Sequence, residues 1–190
     1  MLRPTYPILT RRLLLRPFAM DDLADLHAIQ SRPDVTRYLM WRPRSLAEVR
    51  EVLAKRARTT TLEDQGDALN LAMTLPESGA LVGDVSLRWV SAKHRQGEIG
   101  FVLHPDHHGK GFAGEAGAVM LRLGFEGLGL HRVVGRCDAR NTASAKVMER
   151  LGMRREAHLR QNEIVKGEWT DELVYAMLAD EWPAARARLA

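Results

Sequence analysis

The residue types best suited to chemistry crowd into one stretch, His104-Pro105-Asp106-His107-His108-Gly109-Lys110-Gly111-Phe112-Ala113-Gly114-Glu115. Strand-forming residues precede it and a helical pattern follows, so the glycines sit where a strand turns into a helix. A helix N-terminus carries unpaired N–H groups and a partial positive charge, which attract phosphate. Gly109 and Gly111 can take positive φ and let their N–H groups converge on oxygens, and a side chain at Gly111 would stand between the backbone and the ligand. The chemistry implied is the holding of a phosphate group. A strand-to-helix turn without a ligand is the plainer alternative.

Other readings of the stretch are weaker. Gly109-x-Gly111-x-x-Gly114 satisfies the dinucleotide fingerprint, but that fingerprint belongs on the first strand of repeating βα units, with an acid about 20 residues on for the ribose. Here it lies past mid-chain, Gly129 to Arg132 holds no acid, and Asp138 comes late. Nor is it a Walker A loop, since no Ser or Thr follows Lys110 and no glycine precedes at the right spacing. His104, His107 and His108 match no structural zinc spacing and have no cysteine near them, so no metal is expected.

The elements that must position this turn follow from periodicity. Ile8 to Arg16 alternates as a strand stopped by Pro17. Asp21-Asp22 opens a helix with Leu23, Leu26 and Ile29 on one face. Pro33 to Met40 reads as a short helix, and Ser45 with Glu48 forms a capping box for a third, with Val49, Val52 and Leu53 inward. Arg58 to Asp67 is polar and reads as a loop. Leu69 to Leu75 and Leu81 to Val90 form a hairpin around Pro76-Glu77-Ser78-Gly79. The next strand, Glu98 to Leu103, carries an interior glycine, Gly100, that signals a bulge or a close backbone approach. After the turn come a helix over Glu115 to Gly127, a short strand over His131 to Asp138, and a helix over Asn141 to Leu151 ended by Gly152. Met153 to Ile164 and Glu168 to Leu178 form a last hairpin, followed by a helical or frayed terminus. The expected architecture is α+β: one domain over residues 1–190, with a mixed, mostly antiparallel twisted sheet of about seven strands flanked by helices.

Composition narrows the function classes. With 45% apolar and 27% charged residues, the chain is an ordinary folded domain rather than a disordered one. No apolar run approaches the roughly 18 residues that cross a bilayer, and no signal core follows Arg3, so no membrane partner and a cytoplasmic home are expected. The single Cys137 fits a reducing compartment. A net charge of +4, scattered rather than gathered in a tract, gives no case for direct nucleic-acid binding and suits an anionic ligand. The four tryptophans read as core or rim packing. A homodimer is compatible with the sequence, which does not fix the oligomeric state.

The motifs, taken in order, resemble the GNAT superfamily of N-acetyltransferases, in the branch of the RimJ/RimL-type ribosomal-protein N-terminal acetyltransferases. His108-Gly109-Lys110-Gly111-Phe112-Ala113 is similar to that family's phosphate loop. Leu9-Thr10-x-Arg12-Leu13-x-Leu15-Arg16, Glu98-Ile99-Gly100-Phe101, Asn141-Thr142-Ala143-Ser144-Ala145, Leu151-Gly152-Met153 and Gly167-Glu168-Trp169-x-Asp171-x-x-x-Tyr175 complete the set. The resemblance implies acetyl-CoA as donor. It further implies that Val102 and Leu103 bond the pantetheine arm through their backbone, that the turn from His108 to Gly114 holds the pyrophosphate, and that Asn141 lies near the arm.

Two residues depart from the pattern. His108 stands where Gln or Arg is usual and can still donate to phosphate. Met148 stands where many members have a proton-donating tyrosine, which leaves that role vacant or moved.

The resemblance makes Ser144 the candidate acid that protonates the leaving thiolate, although a first-turn serine is also an ordinary helix residue. Asn141 likewise suits a plain helix N-cap. Glu98, on one strand face with Gly100 and Val102, is the candidate base, against the plainer reading of a surface ion pair with Arg95. The expected reaction is acetyl transfer to a primary amine, first a protein or peptide N-terminus, with a small-molecule amine or a non-catalytic acyl-CoA-binding module as alternatives. The acceptor loops, such as Arg32 to Arg44, cannot be decoded from sequence.

Overall fold

The computed structural model describes residues 1–189. The strands are β1 (Ile8–Leu9), β2 (Leu14–Pro17), β3 (Ala68–Thr74), β4 (Leu81–Ser91), β5 (Gln96–Leu103), β6 (Arg132–Asp138), β7 (Arg154–Val165) and β8 (Glu168–Leu178). The helices are α1 (Leu23–Gln30), α2 (Pro33–Thr36), α3 (Leu46–Arg58), α4 (Phe112–Arg122), α5 (Thr142–Arg150) and α6 (Trp182–Leu189). All eight strands join one sheet in the order β1-β2-β3-β4-β5-β6-β8-β7. Neighbours are antiparallel except β5 and β6, which run parallel.

The eighth strand arises inside the first predicted one. Ile8 to Arg16 is not continuous: Thr10 N–H donates to Leu13 O at 2.9 Å, and the Thr10 hydroxyl accepts from Leu13 N–H at 2.9 Å. The segment therefore folds back, pairing Ile8 with Leu15 and Leu9 with Leu14. Two other boundaries differ. The helix expected over Pro33 to Met40 ends at Thr36, where Lys166 Nζ, from the turn between β7 and β8, donates to the carbonyls of Thr36 and Arg37. The helix expected from Glu115 begins at Phe112, because Gly111 in the left-handed region (φ +84°) serves as its N-cap.

Both sheet faces are covered. On one, α4, α5 and α6 bury Val119, Met120, Ala145, Met148 and Trp182 against Leu13, Leu15, Leu71, Leu87, Val133 and Tyr175. On the other, Leu26 and Ile29 of α1 and Val49 and Leu53 of α3 meet Phe18, Ala72 and Leu81. The terminal α6 is docked, its Trp182 indole donating to Glu126 at 2.6 Å and stacking on Phe125 at 5.9 Å. Leu62, in the loop expected to be polar, is buried in the core and bridges to Leu2.

One parting in the sheet positions everything below. β5 pairs with β6 only from Gln96–Arg132 to Ile99–Gly135. Beyond that, β6 continues with β8 through Asp138, while β5 continues with β4 through Leu103. Gly135 marks the fork, where a Cβ would lie 2.5 Å from Met148 Sδ. On the other side of β5, the close approach is at Gly83 and not at Gly100. A Cβ on Gly83 would meet Val102 O at 2.2 Å, whereas Gly100 would meet only the Ser86 hydroxyl, at 3.1 Å. Backbone cannot yield as a side chain does, so Gly83→Ala is expected to destabilise the fold by about 1–3 kcal/mol. A thermal melt with a midpoint no lower than that of the parent protein would contradict this.

Candidate active site

The parted strands open a cleft of about 640 Å³ bounded by β5, the glycine turn, the start of α4, the inner face of α5 and the segment around α2. Backbone groups alternate along a strand. His104 N–H donates to Val82 O at 2.9 Å, and the Val102 carbonyl lies against Gly83, so both turn toward β4. The main-chain groups turned toward the cleft are therefore those of Phe101 and Leu103, the Leu103 carbonyl being met there by the His108 ring. Leu103 was expected in this role. Val102 was not expected to spend its backbone on β4, and it borders the cleft without offering that backbone to it.

After β5 the chain makes one short helical turn, Pro105–His107, whose start is capped by the His104 ring accepting from Asp106 N–H at 3.3 Å. The His108 ring meets Leu103 O at 3.2 Å, and His107 packs on Phe112 with ring centres 6.0 Å apart. Burial of His107 lowers its pKa from the ordinary value. The rings of His104 and His108 thus have hydrogen-bond partners, whereas His107 Nδ1 is buried without one among the described residues.

Gly109 and Gly111 adopt φ of +74° and +84°. Among the described residues, none of the N–H groups from Gly109 through Gly114 donates to a protein acceptor, whereas the next, Glu115 N–H, donates to Gly111 O at 3.1 Å. The phenyl ring of Phe112 and the methyl of Ala113 are buried beneath, leaving their amides at the surface of the turn. A Cβ on Gly109 or Gly114 would meet nothing within 4 Å. This is a cluster of donors without protein partners at the positive end of an 11-residue helix, of the size and polarity that suit a diphosphate. Lys146 and Arg150 on α5 and Arg37 after α2 border the same cleft. Its one bordering carboxylate, Asp34, is gripped by Arg32 at 3.0 and 2.8 Å.

On the opposite wall, Asn141 caps α5, its Oδ1 accepting from Ser144 N–H at 3.1 Å. Ser144 is half-buried, borders the cleft, and its hydroxyl has no hydrogen-bond partner among the described residues. Met148 is 2% exposed and packs under Gly135, away from the cleft. Glu98 also stands apart. It lies on the sheet face away from α4 with Arg136, not Arg95, as its ion partner at 3.9 Å, and it does not border the cleft. Arg136 also binds Glu172 at 3.0 Å. Burial raises the Glu172 pKa, Arg136 opposes this, and neighbouring Glu163 and Glu98 add to it.

Sequence reasoning missed what holds the turn in place. Glu115, in the first turn of α4, is bound by Thr10 and Arg12 from the β1–β2 turn. The only signal was the Thr10-x-Arg12 motif, which carries no geometry by itself. Also unforeseen were Tyr38, which borders the cleft beneath the guanidinium of Arg140 at 5.8 Å, and the Asp138 carboxylate that holds Arg140 at 2.7 Å.

Comparison with known proteins agrees with this geometry. A family model described as an acetyltransferase (GNAT) domain matches residues 12–154. The Bacillus subtilis N-acetyltransferase YnaD, itself uncharacterised, is 33% identical over 92% of this chain and 98% of its own. The crystal structure of a GNAT-family acetyltransferase from Bacillus anthracis superposes with a TM-score of 0.83 at 32% identity, over 92% of this chain and 99% of that one. The spermidine N-acetyltransferase of Vibrio cholerae, solved with CoA and spermine, shares the fold with a TM-score of 0.77 at 23% identity, over 92% and 99% of the two chains. A cleft between parted strands, an unpaired amide cluster at a helix start and a match over most of the chain converge: this protein belongs to the GNAT family of N-acetyltransferases.

Proposed function

We propose that the protein transfers the acetyl group of acetyl-CoA to the primary amine of a protein or peptide N-terminus, in the cytoplasm. The observation that carries the donor half is the set of unpaired N–H groups from Gly109 to Gly114. They would hold the pyrophosphate, with the backbone of Phe101 and Leu103 along the pantetheine arm and Asn141 near it. When bound, acetyl-CoA supplies an activated acyl thioester. Main-chain N–H groups of β5 beyond the fork can polarise its carbonyl. The Ser144 hydroxyl, free of protein partners, would give its proton to the departing thiolate sulfur. Glu98 would take the amine proton only through water, since Arg136 holds it outside the cleft.

The acceptor half rests on charge. A polyamine carries several cations and needs carboxylates to hold them, yet the cleft is bordered by the cations Arg37, Lys146 and Arg150, and its bordering carboxylate Asp34 is spent on Arg32. An N-terminus brings one amine and a backbone to bond, which suits an entrance of Arg37 and Tyr38. The RimJ/RimL-type motifs point the same way, and at 23% identity the spermidine enzyme supports the fold alone.

Thiol release from acetyl-CoA, measured across N-terminal peptides, polyamines and amino acids, tests the acceptor. Peptides are expected to lead, and a panel led by polyamines would reverse the assignment. CoA binding without turnover on any amine would make the protein a binding module. Ser144→Ala should lower kcat by about 10²-fold or more with CoA affinity retained, and an unchanged kcat removes Ser144 from the mechanism. Gly111→Glu should abolish CoA binding in calorimetry, because it fills the nest, charges it negatively and strains a φ of +84°.

A further inference from the structure

We propose that Arg12, from the β1–β2 turn, is a positioning residue for the cofactor: it fixes the phosphate turn and masks the negative charge of Glu115, which would otherwise repel the pyrophosphate. The inference rests on the turn being a pyrophosphate cradle. Glu115 occupies the first turn of α4, beside the amides assigned to the diphosphate. A carboxylate there favours the helix through its dipole, but it competes with any second anion seated on the same helix end.

In this protein that charge is bound on every side. Glu115 Oε1 accepts from the Thr10 hydroxyl at 2.6 Å and from Arg12 N–H at 2.7 Å. Glu115 Oε2 accepts from Arg12 Nε at 2.8 Å and lies 2.8 Å from Arg12 Nη2, in the paired geometry of a guanidinium on a carboxylate. Burial works to raise the Glu115 pKa, but the bonds from Thr10 and Arg12 prevail and lower it, so the group is ionised and matched. The Glu115 side chain is only 16% exposed, so an unmatched charge here would be poorly screened by water.

Arg12 grips the turn a second time. Its Nη1 donates to Lys110 O at 2.8 Å, the carbonyl between the two left-handed glycines, and its guanidinium lies 5.0 Å over the Phe112 ring. Its Nη2 would be 3.2 Å from a Cβ on Gly111, so the cation lies directly beside the cradle. One side chain therefore fixes the carbonyl that orients the Gly111 amide and cancels the one carboxylate at the helix start.

The test is a double-mutant cycle on CoA affinity, measured by calorimetry in the full-length protein at low salt. Arg12→Ala, which bares Glu115, is expected to weaken CoA binding about tenfold or more, with the deficit shrinking as salt screens the repulsion. Arg12→Ala/Glu115→Gln removes the stranded charge and is expected to recover most of that loss. A purely structural clasp predicts the opposite, since losing both halves cannot repair the turn. A double variant as weak as Arg12→Ala, or an Arg12→Ala protein that binds like the parent, would overturn the proposal. Should Arg12→Ala fail to fold, Glu115→Gln alone decides: binding no weaker than the parent's supports masking, and a tenfold loss overturns it. A parent protein that binds no CoA refutes the cradle reading itself, whereas a parent that binds with a double variant that does not recover refutes only the role of Arg12.

Discussion

The parallel pairing of β5 with β6 ends after Ile99 and Gly135, and the rest of the structure is arranged around that parting. Strands that stayed paired would consume the backbone groups of Phe101 and Leu103 and leave no room between α4 and α5. The parting survives because each strand keeps its other neighbour, β4 for β5 and β8 for β6, so only one edge of each is left unpaired. Buried main-chain groups without partners are costly. An opening that exposes several of them is therefore stable only where solvent or a ligand enters, and the 640 Å³ cleft provides that access.

The same logic governs the glycine turn. Two residues at positive φ and a helix start place a run of N–H groups on one concave surface, with hydrophobic Phe112 and Ala113 anchoring the turn from below. A set of donors arranged in advance loses little conformational entropy on binding a ligand. Rigidity comes from both sides, from the core through Phe112 and from the β1–β2 turn through the Lys110 carbonyl.

Much of this was legible in the sequence because it depends on local rules. The Ser45–Glu48 capping box, the hairpin over β3 and β4, the Asn141 cap and the glycine turn are all written within a few residues and appear where expected. The exceptions are contacts made across the chain. Ile8 to Arg16 alternates on both arms of a fold-back, so periodicity reads one strand where a threonine hydroxyl has made two. The carbonyl at the end of α2 is bound by Lys166, 130 residues away, a contact that no helix propensity could signal. Glu98 reads on its strand as a base or as an ion partner of Arg95, and only the folded sheet reveals Arg136 beside it. Arg12 and Glu115 each look like surface charges until tertiary structure joins them.

Lys166 has a consequence for how the cleft is built. By tying the tip of the β7–β8 turn to the carbonyls of Thr36 and Arg37, it makes one wall of the cleft a joint product of the first and last quarters of the chain. Changes in length or composition at that distant hairpin tip are thereby transmitted to Arg37 and Tyr38, which border the cleft.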